Sequence, residues 1–285
     1  MLSYIKRHKY LFLIAILLFV ISCKKNNSSA PVAKGNYMLD TLVPYGTDPA
    51  QTANVYLPVK QVFSQSPVIL MVHGGGWVRG QAPAFGGSDM YDFFTENGYA
   101  IVDMNYRLAN AFTYPAQLND IDLLLNFMDK QASAWHIDAS RICIFGQSSG
   151  AHLSLLYAYG WNSKGKIKVV IDAFGPTDLP DSSVLTDHLV ADLTTFIGVS
   201  YQANPQLWKA ASPIFHMGGA VPTIIYQGTI DSTVHPIQSD MLNDSLEANG
   251  IPHQYYRWLG LGHGWSEYYW NQSQRSVLLF LGTYL

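Results

Sequence analysis

The chain has few cysteines and few charged side chains. Of its 285 residues, two are cysteine, and Asp, Glu, Lys and Arg together account for 13%; a soluble domain commonly has about 25%. Because Cys23 lies near the amino terminus and Cys143 lies within an apolar run, we expect no intrachain disulfide. The formal net charge is −3, and no basic run occurs beyond the amino-terminal segment. We therefore expect no nucleic-acid partner.

Two kinds of cofactor site also lack support in the sequence. No group of His, Cys, Asp and Glu has zinc-binding spacing, and His136-Ile137-Asp138 stands alone in a predicted loop. The glycines at positions 74–76 do not form the G-x-G-x-x-G fingerprint of a dinucleotide site. We therefore predict that the protein binds no metal and needs no organic cofactor.

The amino-terminal segment has the layout of an export signal. Basic residues at positions 6, 7 and 9 precede an apolar run over residues 10–21. That run is shorter than the roughly twenty residues that a transmembrane helix needs. It leads into Val20-Ile21-Ser22-Cys23, which resembles a bacterial lipobox with Cys23 as the residue that would be lipidated.

This pattern predicts three parts of the chain. They are a lipoprotein signal peptide over residues 1–22, a lipidated flexible tether over residues 23–35, and a folded domain over residues 36–285. The protein is then exported and anchored to a bacterial membrane, on its periplasmic or cell-surface face, and contacts the membrane through the lipid only. An ordinary signal peptide and an uncut membrane anchor are the alternatives.

One serine lies between a predicted strand and a predicted helix. Gly146-Gln147-Ser148-Ser149-Gly150 follows the apolar run 141–145 and precedes an apolar helical segment. In that context G-x-S-x-G is typical of a nucleophile elbow, where the chain turns so sharply that the residues two positions on either side of the serine must lack a bulky Cβ. We therefore predict Ser148 as a nucleophile; a simple turn serine is the alternative.

A serine hydroxyl needs a base and an orienting acid to react near neutral pH. Asp231 and His263 each lie in a loop after a predicted strand downstream of Ser148. Loops at the carboxyl ends of strands in an open α/β sheet share one edge, and the chain order Ser, Asp, His is the order expected for a triad on this type of sheet. We predict His263 as the base and Asp231 as the acid. His188 and His216 are the alternatives for the base, and Asp178 is the alternative for the acid.

The reaction also needs hydrogen-bond donors for the oxyanion. An apolar strand runs into His73-Gly74-Gly75-Gly76-Trp77, where successive glycines leave the backbone N–H groups unobstructed. We predict the N–H groups of Gly75, Gly76 and Ser149 as the oxyanion hole. Because Trp77 adjoins this loop and Trp265 adjoins His263, we also predict that both indoles line the substrate pocket.

The organisation of the chain predicts a doubly wound α/β fold. Two leading antiparallel strands are followed by six strands that alternate with helices, which calls for a mostly parallel eight-stranded sheet with helices on both faces. Residues 179–201 fit neither the helical nor the strand period, and we predict that they form a small lid.

These motifs resemble an α/β-hydrolase of the esterase/lipase group that carries an HGGGW oxyanion motif. Three further segments support the resemblance, which covers residues 37–285: Asn105-Tyr106-Arg107-Leu108, Gly175-Pro176-Thr177-Asp178-Leu179 and Ala211-Ser212-Pro213-Ile214. Within the group, the chain is most similar to carboxylesterases that remove acetyl or feruloyl groups from plant polysaccharides.

The resemblance implies a serine carboxylesterase that forms an acyl-enzyme. Its substrates would be short-chain or aromatic acyl esters of small molecules or carbohydrates. Two alternatives stay open: a peptidase or arylformamidase on the same scaffold, and a surface-anchored binding protein with an inactive triad.

Overall fold

A computed structural model describes residues 32–86, 89–180 and 186–285. The predicted signal peptide, Cys23 and most of the predicted tether therefore lie outside the described residues. Within them, nine strands form one sheet in the order β1-β2-β3-β5-β4-β6-β7-β8-β9. The strands are β1 Val32–Lys34, β2 Tyr37–Pro44, β3 Thr52–Pro58, β4 Ser66–Val72, β5 Ala100–Met104, β6 Ile137–Gln147, β7 Ile167–Ala173, β8 Thr223–Gly228 and β9 His253–Trp258.

The sheet is mostly parallel, as the alternation of strands and helices predicts. The pairings among β1, β2, β3 and β5 are antiparallel, and those from β5 through β4 to β9 are parallel. The prediction of a doubly wound α/β fold is confirmed.

The predicted number of strands is one too low. Val32–Lys34, which the sequence pattern assigns to the tether, pairs with Tyr37–Pro44 as an additional edge strand. Gly35, with φ +57°, provides the left-handed residue that the tight connection requires. Three residues are too few to show the alternation by which a strand is recognised.

Seven α-helices connect the strands of the described sheet. They are α1 Asp89–Glu96, α2 Ala116–Trp135, α3 Ser149–Leu156, α4 Asp187–Ile197, α5 Pro205–Ala210, α6 Ile237–Ala248 and α7 Glu267–Tyr284. The segment 179–201, predicted to be a lid, contains α4, and its residues 181–185 lie outside the described part of the chain. No helix in the described ranges is long and apolar enough to cross a membrane.

Two apolar layers cover the two faces of the sheet. On β4, Val68, Leu70 and Val72 belong to one layer, which α2, α3, α4 and α6 complete. Ile69 and Met71 belong to the other layer, with α1 and α7. All five β4 side chains are fully buried, which explains why the central strands read as continuous apolar runs.

A buried ion pair joins the loop after β5 to helix α2. The Asp120 side chain has no solvent exposure and lies 2.7 Å from the Arg107 guanidinium, whose side chain is 20% exposed. Asp120 also accepts hydrogen bonds from the Arg107 N–H at 2.8 Å and from Gln51 Nε2 at 2.7 Å. The carboxylate is thus fully partnered, so the pair holds this loop at the carboxyl edge of the sheet.

We expect Asp120→Ala to destabilise the protein strongly. The substitution removes the counter-charge of the Arg107 guanidinium and the acceptor of the Gln51 amide, and removing one partner of a buried ion pair costs about 3–5 kcal/mol of unfolding free energy. Urea unfolding followed by circular dichroism measures this cost.

Asp129→Ala is the matched control. Asp129 lies on the same helix and pairs with Lys166, but its side chain is 46% exposed, so its loss should cost at most about 1 kcal/mol. Equal destabilisation by the two substitutions would contradict the structural role of the buried pair.

Candidate active site

Ser148 lies in a sharp turn between β6 and α3. Its backbone has φ 53° and ψ −122°, a conformation that L residues rarely adopt and that surrounding contacts must maintain. The Ser148 N–H donates to the carbonyl of Ala173 on the neighbouring strand at 2.8 Å. The turn therefore depends on both the sheet and the helix.

The two glycines of the motif are required by close backbone approach. A Cβ on Gly146 would lie 2.2 Å from the carbonyl oxygen of Gly150, and a Cβ on Gly150 would lie 2.2 Å from that of Val72. No real Cβ tolerates either distance. The spacing of G-x-S-x-G thus reflects packing of the turn against itself and against β4.

Ser148, His263 and Asp231 lie in one hydrogen-bonded chain. His263 Nε2 is 2.9 Å from Ser148 Oγ, and His263 Nδ1 is 2.7 Å from Asp231 Oδ2. The Asp231 side chain is fully buried, whereas that of His263 is 22% exposed. The imidazole can therefore accept the serine proton on one side while the carboxylate orients it from the other.

Backbone and side-chain donors fix the Asp231 carboxylate. Its Oδ1 accepts the N–H groups of Thr233 at 2.8 Å and Val234 at 3.0 Å, and its Oδ2 accepts Gln227 Nε2 at 3.2 Å. Charge-assisted bonds of this kind are the stronger ones in proteins. The carboxylate is consequently held in the orientation that faces His263.

The alternative bases and the alternative acid have other contacts. His188 Nε2 is 3.0 Å from Arg79 Nη2, and His216 Nε2 is 2.9 Å from the carbonyl of Ala210. The backbone N–H of Asp178 donates to Gln238 Oε1 at 2.7 Å. The hydrogen-bonded chain that starts at Ser148 continues through His263 to Asp231 and includes none of these three residues.

Phe174 packs against the imidazole and was not anticipated from the sequence. Its ring centroid is 4.8 Å from that of His263 at an interplanar angle of 66°, and its backbone φ is +51°. The following turn is fixed because Asp172 Oδ1 accepts the N–H of Gly175 at 2.9 Å. Burial raises the pKa of Asp172 to about 8, so this carboxyl is largely protonated near neutral pH. The conformation of Phe174 depends on these tertiary contacts, and no local sequence signal marks it.

The glycine loop after β4 adopts conformations that favour glycine. Gly75 has φ +116° and Gly76 has φ +62°, and the carbonyl of Gly75 accepts the N–H groups of Val78 at 3.3 Å and Arg79 at 3.1 Å. Among the described residues, no hydrogen-bond acceptor takes the N–H of Gly75 or Gly76. Ser149 begins α3, where an N–H has no acceptor within the helix.

His73 supports this loop from beneath. Its ring is stacked on Tyr106, with centroids 4.2 Å apart and planes at 10°, and its Nδ1 lies 2.7 Å from the carbonyl oxygen of Gly74. Tyr106 in turn donates its hydroxyl to the carbonyl of His73 at 3.1 Å. Burial lowers the pKa of His73 to about 4, so the ring is neutral at physiological pH.

The glycine loop, Ser148 and His263 line one cavity of about 360 Å³. Its opposite wall combines polar and apolar side chains, including that of His188, the alternative base. Side chains lining the cavity besides the predicted ones include Arg79, Gln81, Phe174, His188, Leu189, Asp192 and Thr233. His188, Leu189 and Asp192 lie on α4, within the segment 179–201 that was predicted to be a lid. No local sequence signal marks the other residues as part of this wall.

The prediction that Trp77 lines the pocket is wrong. Its side chain is fully buried, stacks on Phe196 of α4 with centroids 5.0 Å apart, and donates Nε1–H to His152 Nδ1 at 3.2 Å. The residue has φ +61°, which turns the indole inward beneath the glycine loop. Trp77 therefore joins the loop to α3 and α4 as a core residue.

The prediction for Trp265 is also wrong. Its half-buried indole belongs to an aromatic cluster beside β8 and β9, and it does not line the cavity in the described part of the chain. The rings that contact it are those of Phe85, Phe145, Tyr226, Trp258 and Trp270. Trp265 lies two positions after His263 in the sequence, but packing against these rings determines the direction of its side chain.

Within the described ranges, no three His, Cys, Asp or Glu side chains are grouped so as to hold a metal ion. The groups that the site brings together are a serine hydroxyl, an imidazole, a carboxylate and backbone N–H donors. Those groups are sufficient for nucleophilic attack on an acyl carbonyl.

Two comparisons with solved structures place the fold among known proteins. A truncated carbohydrate esterase from gut microbiota superimposes with a TM-score of 0.75 at 22% identity, covering 88% of this chain and 99% of that one. An alpha/beta hydrolase enzyme from a Medee basin deep-sea metagenome library gives a TM-score of 0.66 at 15% identity, covering 87% of this chain and 99% of that one. The fold is that of the α/β-hydrolases.

Sequence comparisons identify relatives of greater length. Esterase LipC of Mycobacterium tuberculosis is 25% identical over 235 residues, which are 77% of this chain and 58% of that protein. The chain spans about half the length of the curated relatives it matches. Residues 53–246, more than half of the chain, match the family BD-FAE. On this match, the chain belongs to the BD-FAE family.

Proposed function

We propose that the protein is a serine carboxylesterase in which Ser148, His263 and Asp231 form the catalytic triad. The observation that carries the proposal is the pair of short contacts of His263, at 2.9 Å to Ser148 Oγ and at 2.7 Å to Asp231 Oδ2. Membership of the BD-FAE family and the esterase named among its relatives support ester hydrolysis as the reaction.

The first half of the reaction forms an acyl-enzyme. His263 Nε2 takes the Ser148 proton as Oγ attacks the acyl carbonyl carbon, and the carbonyl electron pair moves to its oxygen. The N–H groups of Gly75, Gly76 and Ser149 stabilise that oxyanion, while Asp231 stabilises the imidazolium. The tetrahedral intermediate then breaks its bond to the alkoxy oxygen, which leaves as the alcohol with the proton from His263.

The second half releases the acid. His263 accepts a proton from water, whose oxygen attacks the ester carbon of the acyl-enzyme, and a second tetrahedral intermediate forms in the same oxyanion site. Its collapse breaks the bond to Ser148 Oγ and returns the proton to the serine. Each step uses groups of this chain alone, with water as the co-substrate.

The dimensions of the cavity favour small acyl groups. Its volume of about 360 Å³ lies near the lower end of the range for small-molecule sites. Phe174 and Leu189 supply apolar surface, whereas Arg79 and Asp192 make the other wall polar. We therefore propose short-chain or aromatic acyl esters as substrates, including acetyl or feruloyl esters carried by polysaccharides, a class that the carbohydrate esterase among the similar structures supports.

A substrate panel tests this specificity. We expect p-nitrophenyl acetate and butyrate, acetylated xylan and methyl ferulate to be hydrolysed faster than longer p-nitrophenyl esters. An aminoacyl anilide should be the poorest substrate. Faster cleavage of the anilide would instead favour a peptidase, and no turnover of any member would favour a binding protein.

The triad generates a first prediction for catalysis. We expect Ser148→Ala and His263→Ala each to lower kcat on p-nitrophenyl acetate by about 10⁴-fold or more, because members of a triad act as a unit. Asp231→Asn should be impaired somewhat less. Steady-state kinetics on variants with wild-type circular dichroism spectra measures these losses.

Asp178→Asn is the control for the acid. Asp178 also follows a parallel strand, yet Asp231 is the carboxylate at 2.7 Å from His263. Near-native turnover by Asp231→Asn together with a loss in Asp178→Asn would overturn the assignment of the acid.

The oxyanion loop generates a second prediction. A Cβ on Gly75 would lie 2.1 Å from the carbonyl oxygen of Arg79, so Gly75→Ala must displace the turn and its N–H. We expect kcat to fall about 10²-fold or more, the cost of one lost oxyanion donor. Gly282→Ala on α7 is the matched control, because nothing lies within 4 Å of a Cβ there. Equal kcat values for the two variants would show that the loop is only a turn.

We also propose that Cys23 carries a lipid that anchors the enzyme to a bacterial membrane. The lipobox-like Val20-Ile21-Ser22-Cys23 and the short apolar run before it support this proposal. Two acyl chains give stable anchoring, whereas one gives only marginal binding.

Metabolic labelling with a palmitate analogue tests the anchor. We expect the wild type to be labelled and recovered with membranes. Cys23→Ser should carry no label and should either be soluble or retain its signal segment. The triad lies far along the chain, so kcat on small esters should be the same for both proteins. An unlabelled wild type would contradict the anchor and leave the hydrolase proposal intact.

A further inference from the structure

An ion pair crosses the cavity from the glycine loop to helix α4. Arg79 Nη2 lies 3.1 Å from Asp192 Oδ2 and 3.0 Å from His188 Nε2. His188 and Asp192 are one turn apart on the helix, with 3.7 Å between His188 Nε2 and Asp192 Oδ2. All three side chains line the cavity that contains Ser148 and His263.

The Asp192 carboxylate lies against Gly76, one of the three predicted oxyanion donors. A Cβ built on Gly76 would lie 2.3 Å from Asp192 Oδ2, so the carboxylate rests directly against the Gly76 backbone. Its side chain is only 13% exposed. The negative charge of Asp192 therefore lies, largely out of solvent, beside the peptide group of Gly76. That peptide group is predicted to stabilise the negative charge of the oxyanion during the reaction.

Such a carboxylate opposes catalysis unless it is neutralised. Two like charges a few Å apart in a partly desolvated cavity repel each other far more than in water, and the oxyanion exists only in the tetrahedral state. The repulsion would therefore raise the barrier of the chemical step while leaving the bound ground state of a neutral ester almost unaffected.

Arg79 is placed to supply the compensating charge. Its backbone N–H donates to the carbonyl of Gly75 at 3.1 Å, so the residue belongs to the same turn as the oxyanion donors. Its guanidinium then reaches across the cavity to Asp192. Among the described residues that line this side of the cavity, the Arg79 guanidinium therefore faces the Asp192 carboxylate, and both lie within a few Å of Gly76.

We propose that Arg79 is a positioning residue for ester hydrolysis, which neutralises Asp192 beside the oxyanion loop and holds it in place. The inference rests on the proposed function, since it requires an oxyanion formed at Ser148. Charge compensation by Arg79 differs from a purely mechanical link between the glycine loop and α4. A mechanical link is lost when either partner is removed, whereas charge compensation becomes unnecessary once the carboxylate is removed too.

Four variants separate these two roles. Arg79→Met should lower kcat on p-nitrophenyl acetate about tenfold or more, with KM within about threefold, because the unpaired carboxylate acts on the transition state. Arg79→Lys should retain most of kcat, since it keeps a cation. Arg79→Met combined with Asp192→Asn should recover kcat to within about threefold of the wild type. Asp192→Asn alone should be no slower than the double variant.

Arg257→Met is the matched control. Arg257 also pairs with an aspartate, Asp240, at 3.7 Å, and its side chain is 53% exposed, compared with 55% for Arg79. It lies on β9 and does not line the described part of the cavity. We expect this control to keep wild-type kcat and KM. Thermal unfolding of every variant identifies any kinetic loss that is due to misfolding.

Two results would overturn the inference. The first is a double variant as slow as Arg79→Met, which would indicate a mechanical link. The second is an Arg79→Met variant that is as fast as Arg257→Met. In both cases Ser148-dependent hydrolysis by the wild type would still stand. Failure of the proposed function would instead appear as a wild type without esterase activity, or as an active Ser148→Ala variant.

Discussion

The strained turn at Ser148 is the constraint on which the site depends. A residue at φ 53° stays in that conformation only because β6 enters the turn and α3 leaves it at fixed positions. On both sides of the serine the backbone segments approach so closely that neither Gly146 nor Gly150 has space for a Cβ. The turn directs the hydroxyl of Ser148 out of the sheet edge, where loops from other strands can reach it.

Those loops are held by buried polar contacts rather than by their own conformational preference. Asp231 is fixed by N–H groups of its own loop, and His263 is fixed between Asp231 and the ring of Phe174. On the other side, the stack of His73 on Tyr106 supports the glycine loop. Preorganised donors and acceptors need not reorganise during a reaction, which is why such placement favours catalysis.

The fold and the three hydrogen-bonded residues could be predicted because their signals are local. A parallel sheet brings the loops after its strands to one edge, so a serine, an aspartate and a histidine that each follow a strand are expected to converge. The order of these residues in the chain, and the glycines around Ser148, then restrict the choice. Those features are visible in one sequence without knowledge of the contacts.

The walls of the cavity could not be predicted, because they depend on distant partners. Trp77 and Trp265 are adjacent to site residues in the sequence, yet packing against Phe196 and Trp258 turns both indoles away. The pairing of Arg79 with Asp192 joins residues 113 positions apart, and α4 shows no clear period in the sequence. Local patterns identify the reacting groups, whereas tertiary packing determines what surrounds them.

The role proposed for Ser148 is that of a nucleophile activated by His263. Labelling with a fluorophosphonate probe, followed by peptide mass spectrometry, tests it most directly, because the probe reacts covalently only with an activated serine. If Ser148 has this role, we expect one adduct on the wild type, located on the peptide that contains Ser148, and no adduct on His263→Ala. An adduct on a different residue, or esterase activity in a wild type that stays unlabelled, would contradict it.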